Sequence, residues 1–102
     1  MKYRTSAEFE AQYRALSVRE QELFRQAVAA INDAYGQRGE RPLPVWPARL
    51  RIKPVVDTSG IWEMTWSFSG PDGRATFEYF PAGIETAIFW RRIGTHRIFR
   101  NP

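Results

Sequence analysis

The apolar period changes once along this chain, from 3.6 residues to 2, and the change falls across a segment that admits neither. That segment, "GQRGERPLPVWPA", holds two glycines and three prolines. Prolines at that density remove backbone donors and fix φ, so no helix or strand runs through it. A chain divided this way places helices first and a sheet after.

Before the break, Ser6 can cap "SAEFEAQYRAL", in which Phe9, Tyr13 and Leu16 recur at i, i+4 and i+7 on one stripe. "SVRE" is then a capping box, Ser17 bonding forward and Glu20 back. Behind it Phe24, Ala27, Val28, Ile31, Ala34 and Tyr35 predict the apolar face of a second helix ending at Gly36. Tyr3 and Arg4 are compatible with a short leading strand. After the break, "ARLRIKPVV" alternates Leu50 and Ile52 with Arg49, Arg51 and Lys53. "IWEMTWSFS" alternates Trp62, Met64, Trp66 and Phe68 with Glu63, Thr65 and Ser67. "GPDG" predicts a turn, and "RATFEYF" alternates Phe77 and Tyr79 with Arg74, Thr76 and Glu78. "ETAIFWRRI" is apolar on both sides in its middle, as a central strand is. The expected fold is α+β, a single domain over residues 1–102. An N-terminal helix hairpin packs on one face of an antiparallel sheet of three to five strands. The other face collects Arg49, Arg51, Lys53, Glu63, Thr65, Arg74 and Thr76, and is the candidate site.

Composition narrows the function. There is no cysteine, which excludes disulfides and thiolate metal sites. No apolar run approaches the ~20 residues that span a bilayer, and "MKYRTSAEFEAQYR" lacks the apolar core of a signal peptide. A cytoplasmic protein with no membrane partner is expected. Net charge is +4, and residues 49–102 contribute eight Lys/Arg against five Asp/Glu. The last fourteen residues, "FWRRIGTHRIFRNP", carry four arginines, the only histidine and no acid. A polyanionic partner fits that distribution. The four tryptophans suit the core better than base stacking, because Trp62 and Trp66 share a face with Met64 and Phe68; Trp46, between prolines, is free to anchor a loop.

Several residues carry two readings. His96 is either an exposed side chain in a basic tail or an acid or base, the imidazole pKa of about 6.5 suiting proton transfer near neutrality. Arg74, just past the turn, is either a solvated arginine or a bidentate clamp on a phosphate whose charge grows in the transition state. Glu63 is either a cross-strand partner for Arg51, Lys53 or Arg74 or a general base. Arg49, Arg51 and Lys53 form either a solvated ridge or three contributors to counterion release on an RNA backbone.

The order of helix hairpin and sheet, with "LRIKPV", "GIWEMTW", "DGRATFEYF" and "IFWRRIGTHRIF" along it, resembles the RelE/ParE superfamily of type II toxin–antitoxin toxins over nearly the whole chain. For the favoured RelE-like branch the resemblance implies a ribosome-dependent endoribonuclease, an mRNA interferase that cuts in the A site and inhibits translation. The 2′-hydroxyl attacks in line and the 5′-oxygen leaves. It implies that Arg74 is the strand arginine on the scissile phosphate and that Arg91 or Arg92 is the final-strand arginine. His96 stands where some members keep an acid or base, and Phe99 where many keep a tyrosine. With Arg74, His96, Glu63 and Arg92 as the catalytic set, Arg49, Arg51, Lys53, Arg91, Arg97 and Phe99 are the RNA-binding set. No metal and no cofactor are implied. The partners are a cognate antitoxin, the ribosome and mRNA. Two departures from the pattern stand out: Glu63 and Thr65 replace the paired lysines of some members, and Phe99 cannot transfer a proton. The alternatives are a ParE-like gyrase inhibitor, which needs no acid–base residues, and an inactive nucleic-acid-binding homologue.

Overall fold

The computed structural model describes residues 1–68, 72–95, 98 and 100–102. The "GPDG" turn, except Asp72 and Gly73, lies outside the described residues, as do His96, Arg97 and Phe99.

Both helices start where their caps predict. Helix α1 (Ala7–Ala15) opens at Ser6, whose hydroxyl oxygen accepts from the Phe9 N–H. Helix α2 (Val18–Gly36) opens at Ser17, which accepts from the Glu20 N–H while the Glu20 carboxylate accepts from the Ser17 N–H. Each cap answers backbone donors that would otherwise have no partner. The stripes the caps set in register turn inward, so that Phe9, Phe24, Ala27, Ile31 and Tyr35 are buried.

Five strands follow the order β1-β5-β4-β3-β2, with β1 at Tyr3–Thr5, β2 at Lys53–Pro54, β3 at Trp62–Ser67, β4 at Gly73–Ala82 and β5 at Glu85–Gly94. The pairs β2–β3, β3–β4 and β4–β5 are antiparallel. Strand β1 pairs in parallel with β5, Tyr3 opposite Ile88, so the sheet is mostly rather than wholly antiparallel. A parallel pair needs a long crossover, and the entire intervening chain supplies it. That pairing makes β5 an interior strand, as its two-sided apolar middle predicts. The helices cover one face, where Met64, Ala75 and Phe77 have no exposed surface. Trp90 is the hub of that layer: its ring centroid lies 5.2 Å from those of Phe24 and Phe77 and 5.9 Å from that of Phe9. Trp46 anchors its loop by donating its indole N–H to the Tyr79 hydroxyl at 2.9 Å.

Two expectations are corrected. "ARLRIKPVV" is not one strand. Ala48–Leu50 form a 3₁₀ turn, Arg51 takes a left-handed φ of 46°, and only Lys53–Pro54 pair with β3. Prolines 47 and 54 close the segment at both ends, and Pro54 gives no donor to a longer ladder. The turn still buries Leu50, which is what the alternation signalled. Phe68 does not join the core and is 52% exposed. The β3–β4 register shifts between Thr65 and Ser67, so the alternation fails before it reaches Phe68.

Candidate functional site

The face away from the helices is built in rows. Cross-strand partners share a face, so Lys53, Glu63, Thr76 and Arg92 form one row across β2, β3, β4 and β5. Thr65, Arg74 and Gly94 form the next row. The sheet thus brings Glu63, Arg74, Arg92 and Lys53 together, and adjacent strands are about 4.8 Å apart.

Glu63 is largely buried in the row, and its Oε1 lies 3.7 Å from Lys53 Nζ. That is a loose pair with a mostly exposed lysine, worth well under ~1 kcal/mol. Arg74 has only 15% of its side chain exposed. Its Nη1 lies 3.3 Å from Asp72 Oδ2 yet has no hydrogen-bond partner among the described residues, because ion-pair range does not ensure alignment. A buried guanidinium donor left without a hydrogen bond is costly, and the Asp72 carboxylate in ion-pair range offsets part of that cost.

A bulge sets the two arginines of β5. Thr76 pairs with Arg92 and Phe77 with Trp90, leaving Arg91 as the extra residue. Both Arg91 and Arg92 then reach the outer face. Arg91 Nη1 donates to Glu78 Oε2 at 2.7 Å, and its Nε donates to the main-chain oxygen of Pro102 at 3.0 Å. Arg92 Nε donates to the Asn101 carbonyl at 3.1 Å. The carbonyl of Arg91, turned out of the ladder, accepts from the Ser6 hydroxyl at 2.6 Å.

The cationic ridge expected from Arg49, Arg51 and Lys53 does not form, because the 3₁₀ turn breaks the alternation. Arg49 lines a groove of about 910 Å³ between α2 and the linker, together with Arg38 and Arg41. The Arg51 guanidinium sits 5.2 Å from the centroid of the Phe68 ring. Only Lys53 joins the row. The polar face is also less open than polarity alone implies: Thr65 is 2% exposed and Thr76 not at all. A Cβ on Gly94 would stand 3.1 Å from Ile98 Cγ2, which places Ile98 over that end of the face.

Sequence reasoning missed Glu78 and Asp72 as partners of the arginines. Glu78 alternates with Arg74 and Thr76 on the same strand, and that spacing could have found it. Nothing in the sequence marks Asn101 and Pro102, because their backbone oxygens act and every residue has one. His96, Arg97 and Phe99 lie outside the described residues. Among the described residues no three His, Cys, Asp or Glu side chains gather as a metal site would require, and no helix is long and apolar enough to cross a membrane.

What the chain shares with a known protein is its architecture of two helices on a five-stranded, mostly antiparallel sheet, an α+β fold. A YoeB/ParE toxin from Agrobacterium tumefaciens is similar to it with a TM-score of 0.55 and 18% sequence identity, covering 94% of this chain and 99% of that one. This bears out the fold expected from the RelE/ParE resemblance. No protein-family model and no curated protein matches the chain.

Proposed function

We propose that this chain acts as one domain, the toxin of a type II toxin–antitoxin module, and cleaves mRNA on the ribosome. The observation that carries the reading is the placement of a carboxylate among cations on a single face: Glu63 in a row with Lys53 and Arg92, Arg74 beside it. A lone carboxylate would repel a phosphodiester, and these cations offset that repulsion. Glu63 takes the proton of the ribose 2′-hydroxyl. The oxygen attacks phosphorus in line, the bond to the 5′-oxygen breaks, and an acid returns a proton to the leaving oxygen. The resemblance implies an acid or base at His96, and with Glu63 as the base His96 is that acid. Arg74 clamps the non-bridging oxygens, where charge grows. Partners are the cognate antitoxin, the ribosome and mRNA, in the cytoplasm.

Expression without an antitoxin tests the proposal. Pulse labelling should show protein synthesis stopping while DNA synthesis continues, and primer extension should map cuts within translated mRNA. Early loss of DNA synthesis with translation intact would move the assignment to a gyrase poison. A Glu63→Ala chain should lose about 10²-fold or more in single-turnover cleavage, the typical share of a general base.

A further inference from the structure

We propose that the outer edge of β1 takes up an extended segment of a protein partner as a sixth strand. The segment it fits alternates apolar residues toward the helices with acidic residues toward the opposite face. This inference stands apart from the proposed cleavage and from the residues assigned to it.

The main-chain bonds of β1 all lie on one side. The Ile88 N–H donates to the Lys2 carbonyl at 3.0 Å, and the Ser6 N–H to the Trp90 carbonyl at 2.9 Å. With Tyr3 opposite Ile88 and Thr5 opposite Trp90, Lys2, Arg4 and Ser6 are the residues bonded to β5. The N–H and C=O groups of Tyr3 and Thr5 therefore point away from it. No strand lies beyond β1 in the sheet, so two donors and two acceptors stand in line for another chain. The opposite edge offers less, because β2 is two residues long and one of them, Pro54, has no donor.

Side chains say what kind of strand fits. Tyr3 and Thr5 stand on the helix side, where they line a groove of about 480 Å³ with Phe9, Tyr13, Phe24 and Val28. Arg4 stands on the other side, its guanidinium 5.2 Å from the centroid of the Phe80 ring. Lys2 alternates onto that same side, and neither cation makes an ion pair among the described residues. An added strand thus meets apolar surface on one face and unpaired positive charge on the other. Opposite charges across neighbouring strands are favourable, and like charges directly opposite are not. A second copy of this chain fails that test. The antiparallel register that uses all four free groups pairs Tyr3 with Thr5 and sets Arg4 against Arg4.

The probe is a fluorescein-labelled peptide of about six residues that alternates valine and glutamate. Fluorescence anisotropy should show saturable binding to the full chain. The same peptide with lysine in place of each glutamate should bind about tenfold more weakly. Arg4→Glu should reverse that order. On binding, hydrogen exchange at the Tyr3 and Thr5 amides should slow, because both acquire acceptors. Thr5→Pro deletes a donor that β5 does not use, and should weaken the glutamate peptide about fivefold in a chain that melts like the parent. Should that variant not fold, a glutamate peptide N-methylated at alternate residues removes the same bonds from the other partner and should bind no better. No binding, equal binding of the two peptides, or binding that leaves the Tyr3 and Thr5 amides unchanged overturns the proposal. A chain that takes up the peptide and cuts no RNA keeps this site and loses the cleavage reading.

Discussion

Gly73 lies against the indole of Trp66: a Cβ on Gly73 would stand 2.5 Å from Trp66 Cε2 and 2.6 Å from Cζ2. Trp66 is buried in the helix-facing layer, edge-on to Phe24, so the ring must shift from that contact to admit a methyl group. Gly73→Ala should destabilise the fold by about 1–3 kcal/mol through overpacking. Urea denaturation should show a lower midpoint at unchanged slope. The indole N–H has no hydrogen-bond partner among the described residues, so adding Trp66→Phe should recover part of the loss. An unchanged midpoint in the single variant would show that the ring can tilt.

The two helix caps should differ in worth. Ser17 answers donors at an exposed helix start, whereas Ser6 caps α1 and also ties it to β5 through the Arg91 carbonyl. Ser17→Ala should cost about 1 kcal/mol and Ser6→Ala about 2, the upper end for a cap. Thermal melts of the two variants side by side check the order, and equal losses would mean that the bond to β5 adds nothing.

These caps were legible in the sequence because capping is local, with partners three residues away. The inner faces of β3, β4 and β5 were legible for a similar reason, since alternation needs no knowledge of neighbours. What could not be read depends on distant pairing. Nothing in Tyr3 or Arg4 announces a parallel partner in β5, and nothing in Arg49, Arg51 and Lys53 announces that Arg51 turns left-handed. At the site, Glu63 and Arg74 were placed on the polar face by their strand positions, whereas Arg91 or Arg92 came from the family resemblance alone. The second β5 arginine needed a bulge to reach the same face, and no residue type marks a bulge there.

Tyr79 carries a pH signature. Burial pushes its phenol above the ordinary value of about 10, and the hydrogen bond from Trp46 opposes that rise. The unfolded chain loses this proton first, so the contribution is fully present below about pH 10 and fades as pH climbs through the folded value. Trp46→Phe removes the opposing bond. Ultraviolet titration of tyrosinate should show one phenol moving further up in the variant, and a downward move would mean that Trp46 does not bond to it.

Arg74→Met separates scaffold from site. The substitution keeps most of the buried stem and deletes a guanidinium nitrogen that has no hydrogen bond. Stability should stay within about 1 kcal/mol of the parent, while growth arrest on expression disappears. A variant that still arrests growth would return Arg74 to the scaffold; one that unfolds would show that its charge holds the β3–β4 turn.

Pairing β1 with β5 also sets the order in which the molecule can be made. Ser6 and Arg91, 85 positions apart, are joined by a hydrogen bond beside that pair. During synthesis the helix hairpin therefore emerges with its apolar stripe waiting for a sheet not yet translated, and long-range pairing of this kind is slow to close. Until β5 leaves the ribosome, neither the floor beneath α1 nor the row holding Arg92 exists. A partner that recognises the basic face has nothing to hold until that strand has emerged.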